Sequence, residues 1–376
     1  MPDGAALFAR LRREPDVEAP DLVAVDATDR LLLDEAAPLL AAAGPGEVVV
    51  VDDAHGAITL GAVALHGARD VRVHQDLLVG ELALAANAGR TGLTGHHRSL
   101  PLDGDLVAGA RVVLAKAPKA LDALRELTEL VAVHAADDVT LLVGGRVKHM
   151  SHAMNDVLRA GFADVSATLA RQKSRLLVAR GPRRDVRPSS PRCRRDDATG
   201  LTVCASGAAF AGPRVDDGTR ALLRALPDMA PDAGTALDLG CGTGVLAAAL
   251  ASARPQLSVL ATDQSAAAVV SARATAAANG LAGRIEVTRD DAAARVPAGS
   301  VDLVVCNPPF HLGTAVVTAA ADRLFAAAAR VLRPGGQLWT VYNNRLPHRA
   351  ALRRLVGPTR VADAGRQFTV TVSTRR

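Results

Sequence analysis

The stretch from Thr235 to Ala253, TALDLGCGTGVLAAALASA, constrains the fold more than any other part of the chain. An apolar segment, three glycines at alternate positions (Gly240, Gly242 and Gly244) and an alanine-rich run read as a strand, a loop and a helix. The glycines let backbone approach a ligand closely. A strand that feeds a helix through such a loop belongs to an open α/β sheet, where ligands bind beyond the carboxyl ends of the strands.

Alternating apolar runs and alanine-rich helical stretches recur throughout, so a mainly parallel sheet is expected in each half. Strands are expected at Thr235–Leu239, Ser258–Thr262, Ile285–Thr288, Val301–Cys306, Gln337–Tyr342 and Phe368–Ser373. In the first half they are expected at Val48–Val51, Val71–His74, Arg111–Lys116 and Val139–Val143. A chain of 376 residues exceeds what one core usually organises. We therefore divide it into domains at 1–180 and 201–376 with a basic linker at 181–200. Within that linker, Gly181–Arg195 holds six arginines against one aspartate, a net charge of +5 that equals the formal charge of the whole chain. Proline, serine and like charges disfavour packing, and the arginines suit an RNA backbone.

Composition excludes extensive disorder, with 49% hydrophobic residues against 22% charged. The longest uncharged run, Leu303–Ala321, contains Asn307, Pro308, Pro309, His311 and Gly313, so no membrane span is expected. The first residues lack the apolar core of a secretion signal, which makes the cytoplasm the expected compartment. Cys193, Cys204, Cys241 and Cys306 lie far apart without zinc-ligand spacing, so neither a disulfide nor a metal is expected.

The halves read as a diverged duplication. Val48–Gly56 stands where Ala236–Gly244 stands, Glu81–Gly89 resembles Ser271–Gly280, and Ala110–Lys119 matches Val301–Phe310. In the first half Asp52–Gly56 keeps one glycine, and Lys116-Ala117-Pro118-Lys119 carries two positive charges, so cofactor binding is not expected there.

Gly242-Thr-Gly-Val-Leu-Ala247 also satisfies a dinucleotide pattern, so the glycines alone do not decide the ligand. Asp238 completes D-x-G-x-G-x-G, which resembles the S-adenosylmethionine-dependent methyltransferases, where the acid lies near the methionine amino group. Asp263 ends the next strand, placed to accept both ribose hydroxyls, and Asp290 or Asp291, with Asp291 favoured, can accept from the adenine amino group. Asn307-Pro308-Pro309-Phe310 closes the fourth strand beside the cofactor, with Asn307 bordering it. A conjugated amino group is a poor nucleophile because its lone pair is delocalised. If the Asn307 side-chain oxygen and the Pro308 carbonyl accept its hydrogens, the lone pair is aimed at the methyl sulfonium. Two prolines fix those acceptors, and Phe310 can stack on a planar substrate.

ALDLGCGTGVL, CNPPFH and Phe210 followed by Asp216 and Gly218 resemble the bacterial ribosomal RNA guanine-N2 methyltransferases of the RlmG and RsmC type. Asn344-Arg345-Leu346 and KAPKALDALRELTEL resemble the large-subunit member more closely. The resemblance implies two tandem Rossmann-like class I methyltransferase domains, the amino-terminal one degenerate, and a transferase that binds RNA and takes part in rRNA processing. The favoured reading is methylation of a guanine N2 in large-subunit ribosomal RNA, by a monomer without metal. Glutamine-amide methylation of a protein and a non-catalytic RNA-binding assembly factor are the alternatives.

Overall fold

A computed structural model of the chain describes residues 4–18, 22–308 and 314–376. It divides into two compact units, Met1–Ser190 and Pro191–Arg376. The first holds β1 (Val48–Val51), β2 (Val71–His74), β3 (His97–Ser99), β4 (Val112–Lys116), β5 (Thr140–Arg146), β6 (Phe162–Ala167) and β7 (Ser174–Pro182). The second begins with a hairpin of β8 (Arg192–Arg195) and β9 (Thr202–Ala205). There follow β10 (Thr235–Leu239), β11 (Ser258–Asp263), β12 (Ile285–Arg289), β13 (Val301–Cys306), β14 (Leu332–Asn343), β15 (Thr359–Ala364) and β16 (Phe368–Thr374).

Both large sheets have the same topology. Their orders are β3-β2-β1-β4-β5-β7-β6 and β12-β11-β10-β13-β14-β16-β15. In each the first five strands pair in parallel and the last two add antiparallel ladders. β1 is four consecutive valines buried on both faces, as a central parallel strand requires. Its alternate residues enter different cores, Val48 and Val50 on one side and Val49 and Val51 on the other. In the second unit Trp339 and Val305 pack on one face of the sheet while Leu338 and Val304 pack on the other.

The topology fixes where chemistry can sit. Chain order reverses at β10, whose neighbours are β11 and β13, so a crevice opens beyond the carboxyl ends of β10 and β13. Asp238 is register partner of Val305, which places Asn307 just past that pair.

β1, β2, β10 and β13 coincide with the sequence expectation. β3, β6, β7 and β15, and the β8–β9 hairpin, escaped it. Most of these are short, polar or exposed runs without the apolar continuity of the central strands.

The fold departs from expectation in two places. The stretch 181–200, whose composition disfavours packing, contains the boundary between the two units and is anchored on its first-unit side. Arg184 donates to the carbonyls of Ala132 at 2.8 Å and Ala135 at 2.7 Å, at the end of the Leu121–His134 helix. Ser189 binds Glu129 through its backbone nitrogen at 2.7 Å and its hydroxyl at 2.9 Å. Arg192–Arg195 is a strand. The second correction concerns the cysteines. β8 and β9 pair antiparallel with Cys193 directly opposite Cys204, and the two form a disulfide. Sequence separation hides this pairing, because nothing in the residue pattern announces a hairpin there. The outer edge of β9 is held by the Ala266–Ala278 helix and the residue that caps it. Asn279 donates to Thr202 O at 2.7 Å, Thr275 Oγ1 accepts from Cys204 N at 3.0 Å, and Ser271 Oγ accepts from Ser206 N at 2.9 Å. The spacing of four residues aligns these three side chains on one helix face.

In protein purified without reductant, alkylation after denaturation should label Cys241 and Cys306 alone, and prior reduction should expose all four thiols. Labelling of Cys193 without reduction would refute the bridge.

Candidate active site

The loop after β10 is shaped by backbone hydrogen bonds to the strand beside it. Gly240 N and Cys241 N both donate to Thr262 O, at 2.8 and 3.0 Å, while Gly242 N donates to Asp263 Oδ2 at 3.0 Å. Asp263 Oδ1 accepts from Ser265 N at 2.9 Å, so this partly exposed carboxylate is oriented on both sides. Gly240, Gly242 and Gly244 have φ of 75°, 53° and 76°, in the left-handed region. A Cβ at Gly244 would also stand 2.8 Å from Ala272 Cβ, so glycine here lets the Val245–Ala253 helix pack against its neighbour. A Cβ at Gly240 or Gly242 would meet nothing, which leaves open space against the loop.

Asp238 lies beneath that space, 1% exposed. Its Oδ2 accepts from Ala247 N at 3.0 Å, at the start of the helix, and its Oδ1 is buried without a partner. Burial pushes its carboxyl up to about 7, and the neighbouring Asp263 charge adds to the rise. The buried Cys241 and Cys306 thiols are pushed up as well, which disqualifies both as nucleophiles at neutral pH.

Of the two candidates for an adenine contact, Asp290 is buried, donates through its backbone to Asp263 O at 2.9 Å and accepts from Arg295 N at 2.9 Å. Asp291 makes an ion pair with Arg323. The structure therefore brings Asp238, Asp263, Asp290 and the glycine loop together at one sheet edge, with Asp291 engaged by an arginine.

Asn307 stands at the end of β13. Its Nδ2 donates to Asp216 Oδ1 at 3.2 Å and to Thr219 Oγ1 at 3.1 Å, and its Oδ1 is buried with no partner. Asp216 is the N-cap of the Asp217–Arg224 helix and accepts from Thr219 N at 3.1 Å. Pro308 is buried beside it. Pro309, Phe310 and His311 lie outside the described residues. The sequence reading missed Thr219 and the link from Asp216 to Asn307. The available signal was Gly218, a glycine in the first turn of a helix. A Cβ there would come within 3.3 Å of both Asn307 amide atoms.

The first unit repeats this frame with other side chains. Asp52, Ala54 and Gly56 have φ of 58°, 61° and 91°, the trace of the glycine loop. Ala54 N donates to Gln75 Oε1 at 3.2 Å, as Gly242 N does to Asp263. Val50 takes the place of Asp238. The helix start is instead satisfied by Asp53, which accepts from Ile58 N at 2.8 Å and Thr59 N at 2.7 Å. Lys116 takes the place of Asn307 and binds Asp26 at 2.9 Å and Asp29 at 2.5 Å, so this lysine is committed inside its own unit. Among the described residues no group of three or more His, Cys, Asp or Glu side chains has the geometry to hold a metal. None of their helices is long and apolar enough to cross a membrane.

Family comparisons agree with this division. Residues 200–372 match the Methyltransferase small domain and residues 4–183 match the RLMG N-terminal domain. Ribosomal RNA large subunit methyltransferase G of Streptomyces coelicolor is 38% identical over 96% of each chain. Its namesake in Pseudomonas aeruginosa is 37% identical over 98% of this chain and 99% of its own. A solved structure, the T. Thermophilus 16S rRNA N2 methyltransferase RsmC in complex with AdoMet and guanosine, superposes with a TM-score of 0.72. It is 22% identical and covers 93% of this chain and 92% of its own, a likeness of fold.

The raised carboxyl of Asp238 has a consequence for stability. Below its ordinary value of 3.8 the group is protonated in both folded and unfolded chains, so burial costs least there. As pH rises from 3.8 to about 7, the unfolded chain sheds the proton that the folded one retains, and stability falls. Asp238→Asn should therefore melt higher than the parent without ligand, by a margin that grows as pH rises from the ordinary carboxyl value toward the raised one. A margin that does not change with pH would contradict the assignment.

Proposed function

The chain belongs to the ribosomal RNA large subunit methyltransferase G family. On that premise we propose that it methylates the exocyclic N2 amino group of a guanine in large-subunit ribosomal RNA. The methyl donor is S-adenosylmethionine. One observation carries this reading: the amide of Asn307 has both hydrogens engaged and a buried, unpartnered oxygen at the end of the strand beside the glycine loop.

The cofactor pocket suits a zwitterionic nucleoside. The unpartnered Asp238 Oδ1 is an acceptor for the methionine ammonium, and the open space against Gly240 and Gly242 admits the rest of the donor. Asp263 takes the ribose hydroxyls, and one of Asp290 and Asp291 takes the adenine amino group. For Asp291 that role requires the Arg323 pair to give way. When bound, the donor supplies an electrophilic methyl group on sulfonium sulfur. Asn307 Oδ1 and the Pro308 carbonyl accept the two hydrogens of a guanine amino group that has been flipped from its stack, which turns its lone pair toward that methyl. The roles of Pro309 and Phe310, which lie outside the described residues, rest on the sequence alone: a proline to stiffen the turn and an aromatic ring for a planar base. No strong general base is needed, because the methylated nitrogen is acidic enough to lose a proton to water.

Mass spectrometry of nucleosides from large-subunit RNA should find N2-methylguanosine in cells with the parent chain and a deficit in cells with Asn307→Ala. Equal levels in both would overturn the reading. Calorimetry with S-adenosylhomocysteine should give one site per chain. Val50 supplies no carboxylate in the first unit, and side chains of Asp52 and Ala54 line the loop where the second unit has bare backbone. A stoichiometry of two would show that the first unit still binds.

A further inference from the structure

Resting on that reading, we propose that Asp216 and Thr219 are positioning residues that lock the Asn307 amide with its oxygen toward the substrate. A carboxylate can only accept, so the Asn307 edge that faces Asp216 Oδ1 at 3.2 Å and Oδ2 at 3.5 Å is the NH₂ edge. Thr219 Oγ1 donates its own hydrogen to Asp216 Oδ2 at 2.6 Å and turns a lone pair to Asn307 Nδ2 at 3.1 Å. The two amide hydrogens are thus spent on fixed acceptors. Oδ1 is left as the one acceptor facing away from them, and a 180° flip would set it against the carboxylate and cost both hydrogen bonds.

The same contact in the first unit shows what a purely structural version looks like. There the strand-end residue is Lys116, and the positions of Asp216 and Thr219 are taken by Asp26, also an N-cap, and Asp29. That network ties strand to helix by an ion pair. In the second unit a neutral amide replaces the lysine, and the result is a buried oxygen without a donor. A buried acceptor left without a donor is not compensated for the water it has lost, so the exchange makes no sense as a brace. It makes sense as a hydrogen-bond acceptor held ready for an incoming N–H. Gly218 belongs to the same device, because any Cβ there would press on the amide.

The test separates positioning from folding. Asp216→Asn keeps an N-cap of equal quality but replaces one acceptor oxygen by an NH₂, so the Asn307 amide loses its preferred orientation. Thr219→Val keeps the shape and removes the acceptor, and Thr219→Ser restores it. Under single-turnover conditions with ribosomal RNA, Asp216→Asn and Thr219→Val should slow methylation roughly tenfold to a hundredfold, somewhat less than loss of a preorganised donor costs an enzyme. RNA affinity and S-adenosylhomocysteine affinity should stay at parent values, the melting temperature should fall only modestly with the lost hydrogen bonds, and Thr219→Ser should keep the parent rate. Parent rates in Asp216→Asn and Thr219→Val would overturn the proposal, and so would a loss of rate that tracks losses of cofactor affinity and melting temperature. Asn307→Ala, assayed alongside, distinguishes the two levels. If it is inactive while both positioning variants are normal, only the positioning role falls; if it is active, the reading of Asn307 itself falls.

Discussion

Both units are organised around the same left-handed turn as the chain leaves its first central strand. Residues at alternate positions, Gly240, Gly242 and Gly244 in one and Asp52, Ala54 and Gly56 in the other, all carry positive φ. For a side-chain-bearing residue that conformation is costly, on the order of 1 kcal/mol or more. The first unit keeps the turn because the sheet demands it: the amide of Asp52 donates to His74 O as that of Gly240 donates to Thr262 O, each at an ordinary hydrogen-bond length. What the first unit no longer keeps is the bare backbone. The turn is therefore a property of the fold, and glycine in it is a property of the ligand site.

The same separation runs through the rest of the frame. A helix start must have its amides satisfied. In the second unit Asp238 does this from within the strand, and its other oxygen is left over. In the first unit Asp53 does it from the loop, with both oxygens used, and Val50 stands in the strand. Burial pushes the carboxyl of each aspartate up to about 7, so both solutions carry a penalty. Only the arrangement around Asp238 leaves an atom for something else. The strand-end residue follows the rule again, with Lys116 saturated by Asp26 and Asp29 and Asn307 left one acceptor short of a donor. Across the two units, unsatisfied buried oxygen at these equivalent positions marks the site.

Much of this is legible in the amino-acid sequence, because the central strands are short, buried and β-branched and the glycine spacing is a backbone requirement. The residue-by-residue match of Val48–Gly56 to Ala236–Gly244 foretells the shared turn, and that of Ala110–Lys119 to Val301–Phe310 foretells Lys116 in the place of Asn307. The partners that make these residues work are not legible. Asp216 and Thr219 lie 91 and 88 positions before Asn307, and an aspartate, glycine and threonine at a helix start read equally well as ordinary capping. The hairpin that joins Cys193 to Cys204 has one exposed polar strand, and its other edge is satisfied by helix side chains rather than by a sheet. No periodicity announces such a pairing.

The basic stretch shows why composition misleads about mobility. Its arginines and serines suggest a solvated tether, yet the carbonyls at a helix end are a natural partner for guanidinium, and Arg184 takes three of them while also pairing with Asp137. Ser189 and Ser190 meet Glu129 and Glu126, carboxylates one turn apart on the same helix. From Arg192 the chain is already a strand of the second unit. The charge that remains outward, on an exposed strand braced by a disulfide and by the Ala266–Ala278 helix, is therefore presented from a fixed surface. Phosphate contacts made from there lose little conformational entropy on binding, whereas a loose arm of the same charge would have to be ordered at each encounter. Arg184 is already engaged, so any contribution of this stretch to RNA affinity would have to come from its other exposed arginines, Arg187, Arg194 and Arg195 among them.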